Sequence, residues 1–332
     1  MKRRTAGLVA TLGLLACESP HFALEDLPET PIAMLYVTVQ EGERILDAAE
    51  QKSRARNRPE AGTFEVEIER LEQYAGLRTS EDLRRDTVGR LSFFVAPRAE
   101  LEMLGFRRGF RPLQWSPDRD RLMLTGPAIG ERLQIFEWVA SSGELRQLTR
   151  EPSNHTDACY GPAGAFAFVR IDNARPPFAS RIWVERPGEA ARAVTAGPQN
   201  WQPIWSPDGT RLVYAVGASE HEVLHWLDPE TGEGGRLGPG RGPVFTPDGQ
   251  WIVYSAPTPD GWKLWRMRPD GTGKRGFGKS AFDETHPAIS PDGRFVVFEA
   301  SRGVTRRLLV RPLDGSPDRL LPLSGSATRP VW

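Results

Sequence analysis

Trp205-Ser206-Pro207-Asp208-Gly209 leads directly into Leu212-Val213-Tyr214-Ala215-Val216, a tight turn feeding an apolar run. Proline presets φ for the first central turn position, aspartate bonds nearby backbone, and glycine takes the φ > 0 position that closes a hairpin. The pattern recurs at Trp115-Ser116-Pro117-Asp118, Phe245-Thr246-Pro247-Asp248-Gly249 and Ile289-Ser290-Pro291-Asp292-Gly293. Tyr160-Gly161-Pro162-Ala163-Gly164 is a degenerate copy, and Pro330-Val331-Trp332 stands where a sixth would begin. The anchors 115, 160, 205, 245, 289 and 332 are 45, 45, 40, 44 and 43 residues apart, a period that means stacked supersecondary units.

Each unit reads as four strands, A to D, with A leading into the turn. Strand B is apolar on both faces (Leu122–Leu124, Phe166–Val169, Leu212–Val216, Ile252–Ala256, Phe295–Phe298), so it must be covered on both sides. Strand C is mixed and rich in aromatics, as in Leu133–Trp138 and Lys263–Met267, and D is short. Four-stranded sheets repeated around an axis make a β-propeller. The repeats resemble the WSPDG units of the TolB-like propeller family over roughly 90–332, and that resemblance implies six blades.

The fold class expected is therefore all-β, a six-bladed propeller over residues 33–332. Trp332 completes only strand A of the last blade, so its other strands must come from the amino-terminal side. Leu91–Ala96 reads as C and Glu100–Gly105 as D, while Ala33–Val39 has the two-sided apolar character of B. Phe64–Leu71 alternates with Glu65, Glu67 and Glu69 and reads as a one-sided strand. The carboxy-terminal strand is expected beside 33–39, closing the ring and removing the open edge. Residues 41–89 then form a small α/β insertion in the closing blade, with a short helix over 43–56. TolB itself carries a larger amino-terminal domain in place of this insertion.

Lys2, Arg3 and Arg4 precede the apolar stretch Ala6–Ala16, too short to span a bilayer and suited to a signal peptide over 1–16. Leu14-Leu15-Ala16-Cys17 resembles the lipobox of bacterial lipoproteins, which implies cleavage before Cys17 and acylation there, with residues 17–32 as a tether. The expected location is the cell envelope, lipid-anchored on the periplasmic side. In that oxidising setting Cys159 has no partner and reads as a buried small hydrophobe. Lys+Arg and Asp+Glu both number 43, leaving no basic excess for nucleic acid.

Three positions before the anchors stand Asp157, Gln202, Gly242, His286 and Arg329, with Arg111 offered by the first copy. Pro112, Pro203, Pro243, Pro287 and Pro330 follow, as suits an innermost edge strand. The mouth of the channel is thus read as ringed by Arg111, Asp157, Gln202, His286 and Arg329, with His155 and Asn200 two residues outward and Trp201 as a partner contact. Convergent polar groups around a concavity are the default binding site. The expected ligand is an envelope protein, a peptide or a cell-wall fragment, bound by a monomer without a cofactor. An inert scaffold is one alternative. A metal-assisted enzyme on polysaccharide, using His155, Asp157 and His286, is another; some relatives in the family that cleave acidic sugars hold a metal with channel histidines. No Gly-x-Ser-x-Gly nucleophile elbow is present. Asp118, Asp208, Asp248 and Asp292 sit one per repeat and read as turn residues, not as a carboxylate cluster.

Overall fold

The computed structural model describes residues 22–37, 90–103, 109–128, 132–172, 179–217, 221–277, 280–302, 305–324 and 326–332. The leader, Cys17 and the insertion 41–89 lie outside these residues. The described strands form six four-stranded antiparallel sheets. In blade 3, for example, Asn200–Trp205, Leu212–Val216, Val223–Leu227 and Gly234–Pro239 are A to D in sequence order. The innermost strands of the other blades are Arg111–Trp115, Asn154–Tyr160, Arg241–Phe245, Asp283–Ile289 and Ser326–Val331. Each packs against the next, and the last returns to the first.

Two-sided apolarity of strand B has a direct cause. Each core lies between two blades, so strand B serves one core with each face. In blade 4, Ile252, Tyr254 and Ala256 pack against Val213, Ala215 and Leu237 of blade 3. Val253, pointing the other way, joins Val296 and Phe298 of blade 5. Six such wedges exist, the first and sixth flanking the closing blade.

Closure is as the apolar pattern requires. Strand B of blade 6, Ile32–Val37, pairs with Ser326–Val331 on one side and with Arg90–Val95 on the other. Ala33 faces Val331 and Val37 faces Ser326, while Leu35 faces Leu91. Trp332 is 6% exposed, and its Nε1 donates to the Thr30 carbonyl at 3.3 Å.

The expected tether differs in its described part. Residues 22–31 are docked, because Phe22 and Leu27 are apolar enough to be drawn into the core between blades 5 and 6. The Phe22 and Phe295 rings are 5.3 Å apart, and Arg319 Nη1 donates to the Phe22 carbonyl at 3.0 Å. This segment lies at the face where the Pro-Asp-Gly turns gather, opposite the mouth.

The turns follow one plan. The Ser206 hydroxyl donates to Asp208 Oδ1 at 2.5 Å and accepts the Arg211 N–H at 3.0 Å. Thr246 and Ser290 repeat this with Asp248 and Asp292, and Ser116 does so with Asp118. Gly209 sits at φ 71°, and a side chain there would also run into Pro162 of the preceding blade.

Candidate functional site

The inner strands carry a repeated irregularity. In every blade the register slips by one residue shortly before the anchor, a β-bulge that sets two residues against one. In five blades the first bulged residue is left-handed: Asp157 (φ 46°), Gln202 (52°), Gly242 (58°), His286 (50°) and Arg329 (52°). Such a conformation is strained for all but glycine, and bulges of this kind re-aim a side chain. Proline follows in four of these blades and removes the donor that the broken ladder would leave unpaired. Asp157, Gln202, His286 and Arg329 are all partly exposed.

Arg111 is placed differently. Its strand carries the same one-residue bulge as the others and no further residue: Arg111 faces Thr125 as Trp201 faces Ala215, so Arg111 matches Trp201 and Arg241. The left-handed position of blade 1 falls to Pro112, whose ring fixes φ near −65°.

The bulge also overturns the expectation for the residues two places outward. In a regular strand His155 would share a face with Asp157, and Asn200 with Gln202. Re-aiming separates them. His155 is fully buried between blades 1 and 2, its Nδ1 3.0 Å from Gln134 Oε1 and its ring edge-on to Phe168 at 5.1 Å. Burial, aided by nearby Arg170, pulls its pKa down to about 4. Asn200 is 3% exposed and donates through Nδ2 to the carbonyls of Ser180 and Gly197. Both brace neighbouring strands and neither lines the mouth. Trp201 packs partly against the core between blades 2 and 3.

Along the inner strands, from the bulge to the turn-side end, neighbouring blades are stitched together. Gln202 Oε1 accepts the Gly242 N–H at 2.8 Å, and Gln114 Oε1 accepts the Tyr160 N–H at 2.7 Å. Blades 4 to 6 form a charged sector in which the sequence points to His286 and Arg329 but not to Glu299, Arg306 or Arg241. Glu299, 5% exposed on strand B of blade 5, lies 3.4 Å from His286 Nδ1 and 3.1 Å from Arg306 Nε. The Arg329 N–H points at the same carboxylate at 3.4 Å. Burial would raise Glu299, yet His286, Arg306 and Arg329 hold it below its ordinary value. Burial lowers His286, and Arg329 and Arg241 add to that against the pull of Glu299. The Arg241 guanidinium lies 3.8 Å from the Trp262 ring centroid and 3.8 Å from buried Glu222. One signal was available: Glu299 is a carboxylate inside a strand otherwise apolar on both faces.

Among the described residues, no three His, Cys, Asp or Glu side chains gather as a metal site would require. The set His155, Asp157 and His286 is not assembled, because His155 faces the interior of a wedge. Cys159 is buried, and burial pushes its thiol up to about 12, which leaves it unreactive. Among the described residues, no helix is long and apolar enough to cross a membrane.

A closed ring of six sheets with a polar inner rim defines the class: a six-bladed β-propeller. Its solved neighbours include TolB proteins. The putative TolB of Agrobacterium tumefaciens aligns with a TM-score of 0.58 at 23% identity, covering 68% of this chain and 86% of that one. TolB of Acinetobacter baumannii aligns at 0.62 and 17%, covering 74% and 63%. At these identities the likeness establishes the fold. An uncharacterized protein of Agrobacterium fabrum is 28% identical over 193 residues, 57% of this chain and about 65% of that relative's length. No protein-family model matches the sequence.

Proposed function

We propose that this chain is a lipid-anchored, periplasmic binding propeller that recognises an envelope protein or an extended peptide at the inner rim. The observation that carries this reading is the series of left-handed bulges at Asp157, Gln202, His286 and Arg329. Backbone strain is retained where it aims side chains, and here it aims four different polar groups at one opening. A purely structural ring could have used glycine throughout, as blade 4 does at Gly242. Asp157 and Gln202 on blades 2 and 3 oppose Arg241 and Arg329 on blades 4 and 6, with His286, its pKa lowered by burial, between those two arginines, so the rim offers a carboxylate on one side and guanidinium groups on the other. Such an arrangement favours a ligand with both donors and a negative group. The insertion 41–89, joined to strands B and C of blade 6 at the mouth side, would add specificity. The TolB neighbours support the choice of a binding role in the envelope.

The test replaces Asp157, Gln202, His286 and Arg329 together by alanine and captures partners by crosslinking in intact envelopes, with Cys17→Ala as the control for anchoring. Loss of adducts with retained folding is the expected result. Unchanged adducts would mean an inert channel.

A further inference from the structure

The face opposite the mouth, where the A–B and C–D turns gather, is uneven in charge. From Trp262 to Phe277 the sequence holds Lys263, Arg266, Arg268, Lys274 and Arg275 against Asp270 alone, in a chain of formal net charge zero. The guanidinium carbons of Arg266, Arg268 and Arg275 lie 4.7, 4.9 and 5.7 Å from the Trp251 ring centroid. Trp251 directly follows the A–B turn of blade 4, and Arg268 and Arg275 flank its C–D turn, so the cluster belongs to this face. Elsewhere arginines are set against acids, as in Arg146 with Glu144, Arg181 with Asp172 and Arg294 with Asp292. Among the described residues, Arg266, Arg268, Lys274 and Arg275 have no carboxylate at ion-pair distance. Arg266 and Lys274 are held by the carbonyls of Leu313 and Leu237, and Arg268 and Arg275 are exposed. Asp270, held low in part by Arg268, is the one acid within this run, and an excess of like charge of this size favours an external anion.

An independent observation points the same way. The docked segment 22–31 reaches the protein at this face: Arg294, in the A–B turn of blade 5, donates to the Asp26 carbonyl, and Arg319 to that of Phe22. On the lipid-anchor reading proposed above, Cys17 is five residues from Phe22, a reach of about 17 Å at most. That is short enough to hold this face against the bilayer.

We infer that the blade 4 corner of this face is a membrane-docking surface. Arg266, Arg268, Lys274 and Arg275 would receive anionic phospholipid headgroups, with the Trp251 indole at the interface. The propeller then stands with its mouth turned away from the membrane that anchors it.

A chain beginning at Glu18 keeps every described residue and carries neither leader nor lipid, so the surface can be tested without the anchor. It is expected to sediment with vesicles of phosphatidylethanolamine and phosphatidylglycerol, less as salt rises, and not with phosphatidylcholine alone. Arg268→Gln with Arg275→Gln should weaken that partition by about tenfold or more. Arg146→Gln with Arg181→Gln should leave it unchanged. Equal partition to both vesicle types, equal partition of the Arg268/Arg275 variant and parent, or binding to soluble dextran sulfate without vesicle partition would overturn the inference. Because Cys17 is absent throughout, none of these results depends on acylation. Partner capture at the rim should be unaffected by Arg268→Gln and Arg275→Gln.

Discussion

At the scale of single residues, polar side chains in this propeller do two jobs, and the bulge decides which. Ser206 is the turn-building case. It is 8% exposed, and its hydroxyl ties Asp208 to the Arg211 N–H. Ser206→Ala should lower stability by about 1–2 kcal/mol in urea unfolding, since a partner is left without its bond. Asp208 is held below its ordinary 3.8 chiefly by the Ser206 hydroxyl, so its share of stability is present above that value and lost as pH falls. His155 has the opposite chemistry but fails in the same direction. The fold keeps it neutral down to about 4, whereas an unfolded imidazole takes its proton near 6.5. Stability from this group is therefore full above pH 6.5 and declines as pH falls toward 4, by on the order of 3 kcal/mol. His155→Gln should flatten that slope in urea midpoints measured between those pH values; an unaltered slope would show that the imidazole does not stay neutral. The re-aiming that buries His155 and Asn200 was not legible in the sequence. A left-handed bulge normally advertises itself by glycine, and only Gly242 does so here. The prolines that follow were the available clue, read as an edge signal when they also mark the break in the ladder.

At the scale of elements, the repeat was legible because turn chemistry and strand apolarity agree at one period. Even the degenerate copy keeps the plan: Tyr160 faces Phe166 across a shortened turn in which Ala163 and Gly164 both take positive φ. Closure could be argued because a strand exposed to a core on each face cannot carry alternating glutamates, which favoured Ala33–Val39 over Phe64–Leu71. What escaped was the docked segment 22–31, since Phe22 and Leu27 are isolated apolar residues among turn formers and show no period. Removing residues 328–332 should uncover Ala33 and Leu35 and sharply lower the melting temperature, and Trp332→Ala alone should cost about 3–5 kcal/mol. An unchanged melting curve for the truncation would contradict closure. Blades 4 and 5 are stapled around fully buried Arg311 of blade 5, whose Nη1 donates to the Phe277 carbonyl of blade 4 at 2.7 Å. Its Nη2 meets Glu284 Oε1 at 2.6 Å and Asp318 Oδ2 at 2.7 Å, while Glu284 Oε2 accepts the Leu264 N–H of blade 4 at 2.9 Å. Glu284→Ala should cost about 3–5 kcal/mol, because it removes one of the two carboxylates paired with a buried guanidinium and leaves the Leu264 N–H without its acceptor, while Glu284→Leu with Arg311→Met should cost less than either single change. Chemical denaturation of the three variants checks the order.

At the scale of the whole molecule, six wedge cores make a rigid ring whose two faces differ in kind. One face presents the strained polar rim, with Asp157 and Gln202 opposite Arg241, His286 and Arg329. The other gathers the turns, the docked amino-terminal segment and the excess of cations around Trp251. Formal neutrality hides this division, which is why composition excluded nucleic acid yet gave no hint of a cationic corner. The fold was readable from repeated turns; the rim was readable only in part, because its geometry depends on a bulge marked only by the prolines that follow it and on Glu299, which stands on one blade alone among the described ones. A binding propeller should therefore engage its partner from one face alone. The direct measurement is photo-crosslinking in intact envelopes from two single sites, Gln202 on the rim and Gln250 in the opposite turn of blade 4. Protein adducts from position 202 and none of the same species from position 250 are predicted. The same adducts from both positions, or adducts from position 250 alone, would contradict recognition at the rim.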